Sequence, residues 1–204
     1  DLDSVALQQS LRDLDRGFKN FFEKRARHPQ FKSKHNQHQS YRTVNKGNKI
    51  RIVGKHIRLP KLGFVKVKQS MDVGHINNAT IEKTPTGKYF VVLNVDFEPE
   101  LHTNNGGVIG IDVGIKSFYS DSNGNTVNNP KYLEKAQRKL AREQRKLSRK
   151  QKGSNNRNKQ RIKVALVHEK IANQRNDFLQ KQSTILVREN QTICIEDLNV
   201  KSMI

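Results

Sequence analysis

The chain holds one cysteine, Cys194, and no tryptophan among its 204 residues. A single thiol excludes a disulfide framework and a Cys-x-x-Cys zinc knuckle within these residues, and it fits a reducing, cytoplasmic setting. Its place between Ile193 and Ile195 reads as a buried strand position. Long hydrophobic runs are missing too. The longest apolar stretches are a few residues, against the ~20 that a membrane span needs, and no secretory signal pattern is visible at the N-terminus. No phosphate-binding Walker loop and no nucleophilic Ser or Cys motif occurs. The seven histidines show no ligand spacing beside a cysteine, so surface or RNA-contact roles are expected for six of them and packing or phosphate contact for His168. Acidic residues are scarce: 19 Asp plus Glu stand against 39 Lys plus Arg, a net charge of +20 with a pI of 10.2. A field of that sign concentrates polyanions, so nucleic acid is the expected partner, although charge alone does not separate RNA from DNA.

Patterning divides the chain in two, and the expected fold class is α+β. Leu2, Val5, Leu7, Leu11, Leu14, Phe18, Phe21 and Phe22 recur at spacings of three and four, which predicts helix over the first thirty residues, ended by Pro29. Residues 41–98 change period. Lys49–Val53, His56–Leu59, Gly63–Lys68, Ala79–Lys83 and Tyr89–Phe97 alternate between Gly, Pro and Asn punctuation, as in a small antiparallel β-barrel or sandwich, with a hairpin turn at Pro85-Thr86-Gly87. Tyr41, Phe64, Tyr89 and Phe90 read as core aromatics of that module, with base stacking as the alternative. A polar linker over residues 99–107 marks the boundary.

Beyond it, Val108–Ile115 predicts a buried strand, and Phe118–Asp121 with Thr126-Val127 its hairpin, Asn123-Gly124 suiting a type I′ turn. Two long helices follow, over 130–151 and 158–189. Pro130 sits in the first turn, Leu133, Ala136, Leu140 and Leu147 form one face, and Val164, Ile171, Phe178 and Ile185 repeat every seven residues as the seam of an antiparallel hairpin. A last strand runs over 192–198. Between Lys131 and Lys163 stand fourteen Lys or Arg and two acids, Glu134 and Glu143. Like charges at i, i+4 repel, so such a load implies an anion that relieves it. Arg138, Lys139, Arg142, Arg145, Lys146, Arg149 and Lys150 are therefore expected to track a nucleic-acid backbone, and the same contact is expected of Lys32, Lys34, Lys49, Arg51, Arg157, Arg161 and Arg175.

Two carboxylates stand at the ends of apolar runs, Asp112 in Gly110-Ile111-Asp112-Val113-Gly114 and Glu196 in Ile193-Cys194-Ile195-Glu196-Asp197. Strand ends of this kind present side chains to a ligand crevice, and two-metal phosphodiester hydrolysis needs carboxylates converging on Mg²⁺. An RNase H-like sheet would supply them from its first strand and from the strand after the crossover helices. Gly110 and Gly114 would let a nucleic-acid backbone approach. Asp197, adjacent to Glu196, should face the other way and reads as structural.

These residues carry a family resemblance. Gly110-Ile111-Asp112-Val113-Gly114-Ile115-Lys116, Asn129-Pro130-Lys131-Tyr132-Leu133, Leu147-Ser148-Arg149-Lys150-Gln151-Lys152-Gly153-Ser154, the run from His168 to Leu179 and Ile195-Glu196-Asp197-Leu198-Asn199-Val200 resemble the OrfB/TnpB proteins of bacterial insertion sequences. So do Phe21-Phe22 and Pro29-Gln30-Phe31-Lys32-Ser33-Lys34. The resemblance implies a transposon-associated, RNA-guided, Mg²⁺-dependent DNA endonuclease related to type V CRISPR effectors. Residues 1–35 would then be the end of a helical recognition region, 36–106 a wedge-like β-barrel, and 107–204 a partial RuvC-like (RNase H-like) domain with Asp112 and Glu196 as catalytic metal ligands. Its implied partners are guide RNA and target double-stranded DNA, in a monomeric ribonucleoprotein of the bacterial or archaeal cytoplasm, associated with the nucleoid.

Family members continue through a Cys-x-x-Cys zinc segment and a helix bearing a third catalytic Asp. Neither is in this sequence, so the resemblance implies a fragment inactive alone, with zinc only in the absent segment. Two rival readings stand beside it: a relative that binds RNA and DNA without cutting, and a guide-independent DNA transposase.

Overall fold

The structure, a computed structural model, describes residues 2–30, 33, 36, 38–68, 73–98 and 106–197. The chain forms two compact units, Asp1–Pro99 and Glu100–Ile204. Residues 99–105 of the linker expected over 99–107 lie outside the described residues, as do Lys32 and Lys34.

In the first unit, α1 (Ser4–Phe22) is shorter than its periodicity suggests. Asp3 caps it, accepting the Val5 N–H at 3.1 Å, and also accepts the Thr43 hydroxyl at 2.6 Å, which ties the helix start to β1 (Gln39–Val44). Arg42 strengthens the joint by donating to Asp13 at 2.6 Å and to buried Gln9 at 3.3 Å. The remaining strands are β2 (Arg51–Val53), β3 (His56–Leu59), β4 (Gly63–Lys66), β5 (Ile76–Lys83) and β6 (Tyr89–Val95). They make two three-stranded antiparallel sheets, ordered β1-β5-β6 and β2-β3-β4. Ile50, Ile57, Leu59, Ile76 and Ala79 form one core shared by both sheets. No closed barrel results. Among the described residues no ladder joins the two sheets, and strands of three or four residues such as β2 and β4 are too short for the tilt and stagger that closure demands.

The Thr84–Lys88 connection is a hairpin turn as expected: Gly87 N–H donates to Thr84 O, and Thr84 N–H to Lys88 O, with Gly87 at φ +83°. The aromatics expected in the core are not there. Tyr41, Phe64, Tyr89 and Phe90 are all exposed, because the core is filled by the aliphatic face of β5 and β6 and by Ile57 and Leu59 of β3.

The second unit opens with β7 (Val108–Val113), β8 (Ser117–Asp121) and β9 (Thr126–Asn128), continues through α2 (Tyr132–Ser148) and α3 (Asn155–Glu189), and returns with β10 (Thr192–Ile195). The sheet order is β10-β7-β8-β9; β10 runs parallel to β7, and the other pairs are antiparallel. A parallel neighbour requires a long crossover, which α2 and α3 provide. Ile109, Ile111 and Tyr119 form the core of this unit, packed by Phe118, Val127, Ile193 and Leu186 of α3. Among the described residues only that face of the sheet is covered. Val108, on the opposite face, is therefore exposed; Val113 at the strand end and Ile115 beyond it are exposed too, which corrects the fully buried strand expected over 108–115, and Cys194 on edge strand β10 is exposed as well.

The β8–β9 turn also differs from expectation. Gly124 has φ +84°, whereas Asn123 does not enter the left-handed region. Type I′ needs both, so the connection is instead a turn followed by a left-handed glycine, with Gly124 N–H donating to Asp121 O and Asp121 N–H to Asn125 O. Helix α2 starts after Pro130, with Lys131 in the left-handed region at its N-cap. Its half-buried face runs through Tyr132, Ala136, Leu140, Glu143 and Leu147, while Leu133 points to solvent. On α3 the packed stripe is Gln160, Val164, Val167, Ile171, Phe178, Gln182 and Leu186; Ile185 lies off it. Phe178 meets Phe118 edge-on at 4.9 Å and Tyr132 at 6.3 Å between ring centroids, joining the hairpin to the sheet.

Candidate functional site

The β7–β10 ladder sets the first site. Its register pairs Thr192 with Val108, Ile193 with Ile109, Cys194 with Gly110 and Ile195 with Ile111. Carried one residue further, it brings Glu196, just past the strand end, level with Asp112. Strand alternation then sorts the two faces. Ile109, Ile111 and Ile193 point at α3, while Gly110, Asp112, Cys194 and Glu196 point away from it.

Asp112 and Glu196 line one shallow groove of about 410 Å³, walled by Ser120, Asp121, Ser122 and Cys194. Ser120 is the antiparallel partner of Asp112, which sets a hydroxyl beside that carboxylate. Asp121 is otherwise engaged. It accepts from Asn123 N–H at 3.0 Å, Asn125 N–H at 2.8 Å and the Asn125 side chain at 3.0 Å, and the Asn125 hydrogen bond leads in holding its pKa below the ordinary carboxylate range. Gly110 is held by Ser122, which accepts its N–H at 3.1 Å and donates its own N–H back at 2.9 Å. A Cβ at Gly114 would come within 3.2 Å of Ser117 O, so that glycine serves the tight β7–β8 turn. Among the described residues no three His, Cys, Asp or Glu side chains are grouped to hold a metal ion by themselves.

The second site is the helical hairpin. Arg138, Arg142, Arg145 and Arg149 recur at spacings of four, three and four, which puts four exposed guanidinium groups on one face of α2. Lys139 and Lys146 lie on a different face, toward the groove between α2 and α3. Lys150 is half-buried, and Arg161 and Arg175 are exposed on α3. Arg157 acts within the hairpin. Its Nη1 donates to Leu147 O at 2.8 Å and Lys150 O at 2.9 Å, satisfying carbonyls at the end of α2. In the first unit, Lys49 and Arg51 are exposed at the start of β2, where Arg51 reaches Asn48 O at 3.4 Å.

Glu143 is the buried acid of the hairpin, 8% exposed. Gln160 donates to it at 2.7 Å and Lys146 at 3.2 Å, and those bonds, Gln160's first, hold its pKa below the ordinary glutamate range. Sequence reasoning missed three lysines of this groove, Lys135, Lys163 and Lys170. For Lys135 the signal was available in the spacing of 135, 139, 143 and 146, which puts Lys, Lys, Glu and Lys on one helix face.

Fold and site together define a basic, mixed α/β protein with a carboxylate pair at parallel strand ends beside a cationic helical hairpin. Residues 90–204 match the model of the IS605 OrfB family, described as "Probable transposase". The chain is 38% identical over 205 residues to an Escherichia coli (strain K12) protein named "Putative RNA-guided DNA endonuclease InsQ", and 36% identical over 213 residues to a Streptomyces pristinaespiralis protein named "Putative RNA-guided DNA endonuclease". Both alignments cover 100% of this chain and, respectively, 50% and 51% of those proteins, so the chain spans about half the length of these curated relatives. The chain belongs to the IS605 OrfB family. No helix among the described residues is long and apolar enough to cross a membrane.

Proposed function

We propose that this chain forms part of a transposon-associated, RNA-guided DNA endonuclease, and that Asp112 and Glu196 are its catalytic metal-binding carboxylates. The observation that carries the reading is their convergence: residues 84 positions apart in sequence stand at neighbouring parallel strand ends and line one groove. The order β10-β7-β8-β9, with a helical crossover into the parallel strand, supports an RNase H-like (RuvC-like) assignment. The relatives' names supply guide RNA and target DNA as partners.

The donor set suits Mg²⁺. Its ligands here would be the hard carboxylate oxygens of Asp112 and Glu196, and Mg²⁺ commonly takes only one or two protein carboxylates, completing its shell with water and substrate phosphate oxygens. Such an ion supplies a lowered pKa for bound water and charge neutralisation at the scissile phosphate. The chain's own residues do the positioning. β7 fixes Asp112 through the buried flanking Ile111, and β10 fixes Glu196 through its register with β7. Gly110, backed by the Ser122 side chain, lines the same groove, and the basic hairpin holds the phosphodiester backbone through its phosphates.

The test is cleavage of guide-matched DNA by this chain with its cognate RNA and Mg²⁺, beside a full-length relative and the Asp112→Ala and Glu196→Ala variants of each. Loss of cutting in both variants of the cutting protein is expected. The family description "Probable transposase" favours one second reading, guide-independent DNA transposition. Target choice that ignores the RNA would establish that reading instead.

A further inference from the structure

We propose that the groove between α2 and α3 is a second phosphate-binding track, distinct from the arginine face of α2, and that it holds one single-stranded phosphodiester backbone. The inference rests on the nucleic-acid reading above and deepens it. Five ammonium groups line this groove: Lys135, Lys139 and Lys146 from α2, Lys163 and Lys170 from α3. It encloses about 540 Å³. One carboxylate faces them, Glu143, and its oxygens are already engaged by Gln160 and Lys146.

The remaining charge is uncompensated within the groove. Lys135 and Lys139 stand one helical turn apart on α2, about 6 Å along the axis at ~1.5 Å per residue and inside the ~8 Å over which physiological salt leaves charges unscreened. A built anion site accounts for an arrangement that would otherwise cost stability through repulsion. The side-chain chemistry narrows the ligand. Lysines are flexible point charges suited to successive phosphates, whereas the arginines on the other face offer planar forks for bidentate contacts.

Shape narrows it further. Lys135 to Lys146 spans about 16 Å of helix at roughly 1.5 Å per residue, enough for several consecutive phosphates. The floor of the groove is the seam of two helices whose axes pack ~8–10 Å apart, which admits one strand and not the width of a duplex. Tyr132 and Gln174 also line it and add neutral donors. No contact of this set reads a base, so the strand is bound without sequence preference, and DNA and RNA are two sources of the same backbone.

The experiment compares the 204-residue chain with two triple variants, Lys135→Gln/Lys163→Gln/Lys170→Gln in the groove and Arg138→Gln/Arg145→Gln/Arg149→Gln on the arginine face. All six side chains are exposed, and helicity is verified by circular dichroism. Binding of labelled single-stranded DNA, single-stranded RNA of the same sequence, and duplex DNA is titrated against salt. With about 0.7 ions released per single-strand phosphate contact, the groove variant should lower the salt slope by about two on one or both single strands and leave the duplex slope unchanged. Whichever single strand responds identifies the source.

An unchanged single-strand slope in the groove variant, with a lowered slope in the arginine variant, overturns the groove proposal and leaves the nucleic-acid reading intact. An equal loss on duplex overturns the single-strand assignment. Unchanged slopes in both variants overturn the nucleic-acid reading of the hairpin itself. If helicity falls in the variants, the unmodified chain decides the matter: a bound single strand should protect Lys135, Lys163 and Lys170 from amine-reactive labelling, and full labelling in its presence overturns the proposal.

Discussion

Two isoleucines in one short motif should respond very differently to truncation. Ile111 is 8% exposed and packs in the core that joins β7 to Leu186 of α3; Ile115, four residues later, is 81% exposed. Ile→Ala removes three carbons. At about 0.8 kcal/mol per buried methylene the transfer loss at Ile111 is roughly 2.4 kcal/mol, and an unfilled cavity raises it to about 3 kcal/mol. Ile115 has almost nothing to lose, so Ile115→Ala should cost under about 0.5 kcal/mol. For a unit of this size a kilocalorie moves the melting temperature by ~4–8 °C, so Ile111→Ala should lower the transition of the second unit by roughly 12–24 °C and Ile115→Ala by no more than about 4 °C. Differential scanning calorimetry provides the readout. Equal shifts for the two variants would refute the burial of Ile111 against α3, and with it the argument that Asp112, its neighbour along the strand, faces away from α3 into the groove.

Other consequences are as direct. Glu143 and Asp121 have pKa values held below their ordinary range, so each contributes stability that is present above its unfolded pKa and is lost as pH falls through the folded one. Urea unfolding between pH 7 and about pH 3 should therefore show stability falling below about pH 4.5, and Glu143→Gln should flatten part of that fall. Gly124→Ala forces an L-residue into φ +84° and should cost about 1–2 kcal/mol, measured by the same unfolding curves. Ser154→Ala removes the oxygen that accepts the Arg157 N–H at the start of α3 and should cost about 1 kcal/mol. Cys194, exposed on the groove side of β10, should react with a thiol reagent in the native protein at the rate of a free surface thiol; reaction only after denaturation would contradict its placement.

Much of this architecture is legible in the sequence, and the departures have identifiable physics. His56–Leu59 and the turn at Gly87 follow from alternation and glycine placement alone. β1 escaped notice because Gln39–Val44 carries little apolar alternation; its place is set by pairing with β5 and by the Arg42 and Thr43 bonds to α1. The seven-residue seam of α3 holds at Val164, Ile171 and Phe178 and then slips to Leu186, because a straight helix turns ~20° away from a strict heptad with each repeat. The type I′ expectation at Asn123-Gly124 failed because local dipeptide preference was overruled by Asp121, whose carboxylate gathers both turn N–H groups.

For the candidate site, the carboxylate positions were readable from strand ends, and their shared groove follows from the register. The lysine groove was hidden because it is composed by two helices far apart in sequence, and periodicity within one helix does not reveal its partner. The exposure of Cys194 was hidden for a related reason: an apolar run does not say how many faces of its sheet are covered.

The central claim is that Asp112 and Glu196 form one metal site, and manganese binding followed by electron paramagnetic resonance tests it without need of RNA or substrate. The account predicts that Asp112→Ala and Glu196→Ala each weaken binding about as much as the double variant does, as expected of two ligands to the same ion. Losses that simply add, or a Glu196→Ala variant that binds manganese like the unmodified chain, would contradict it.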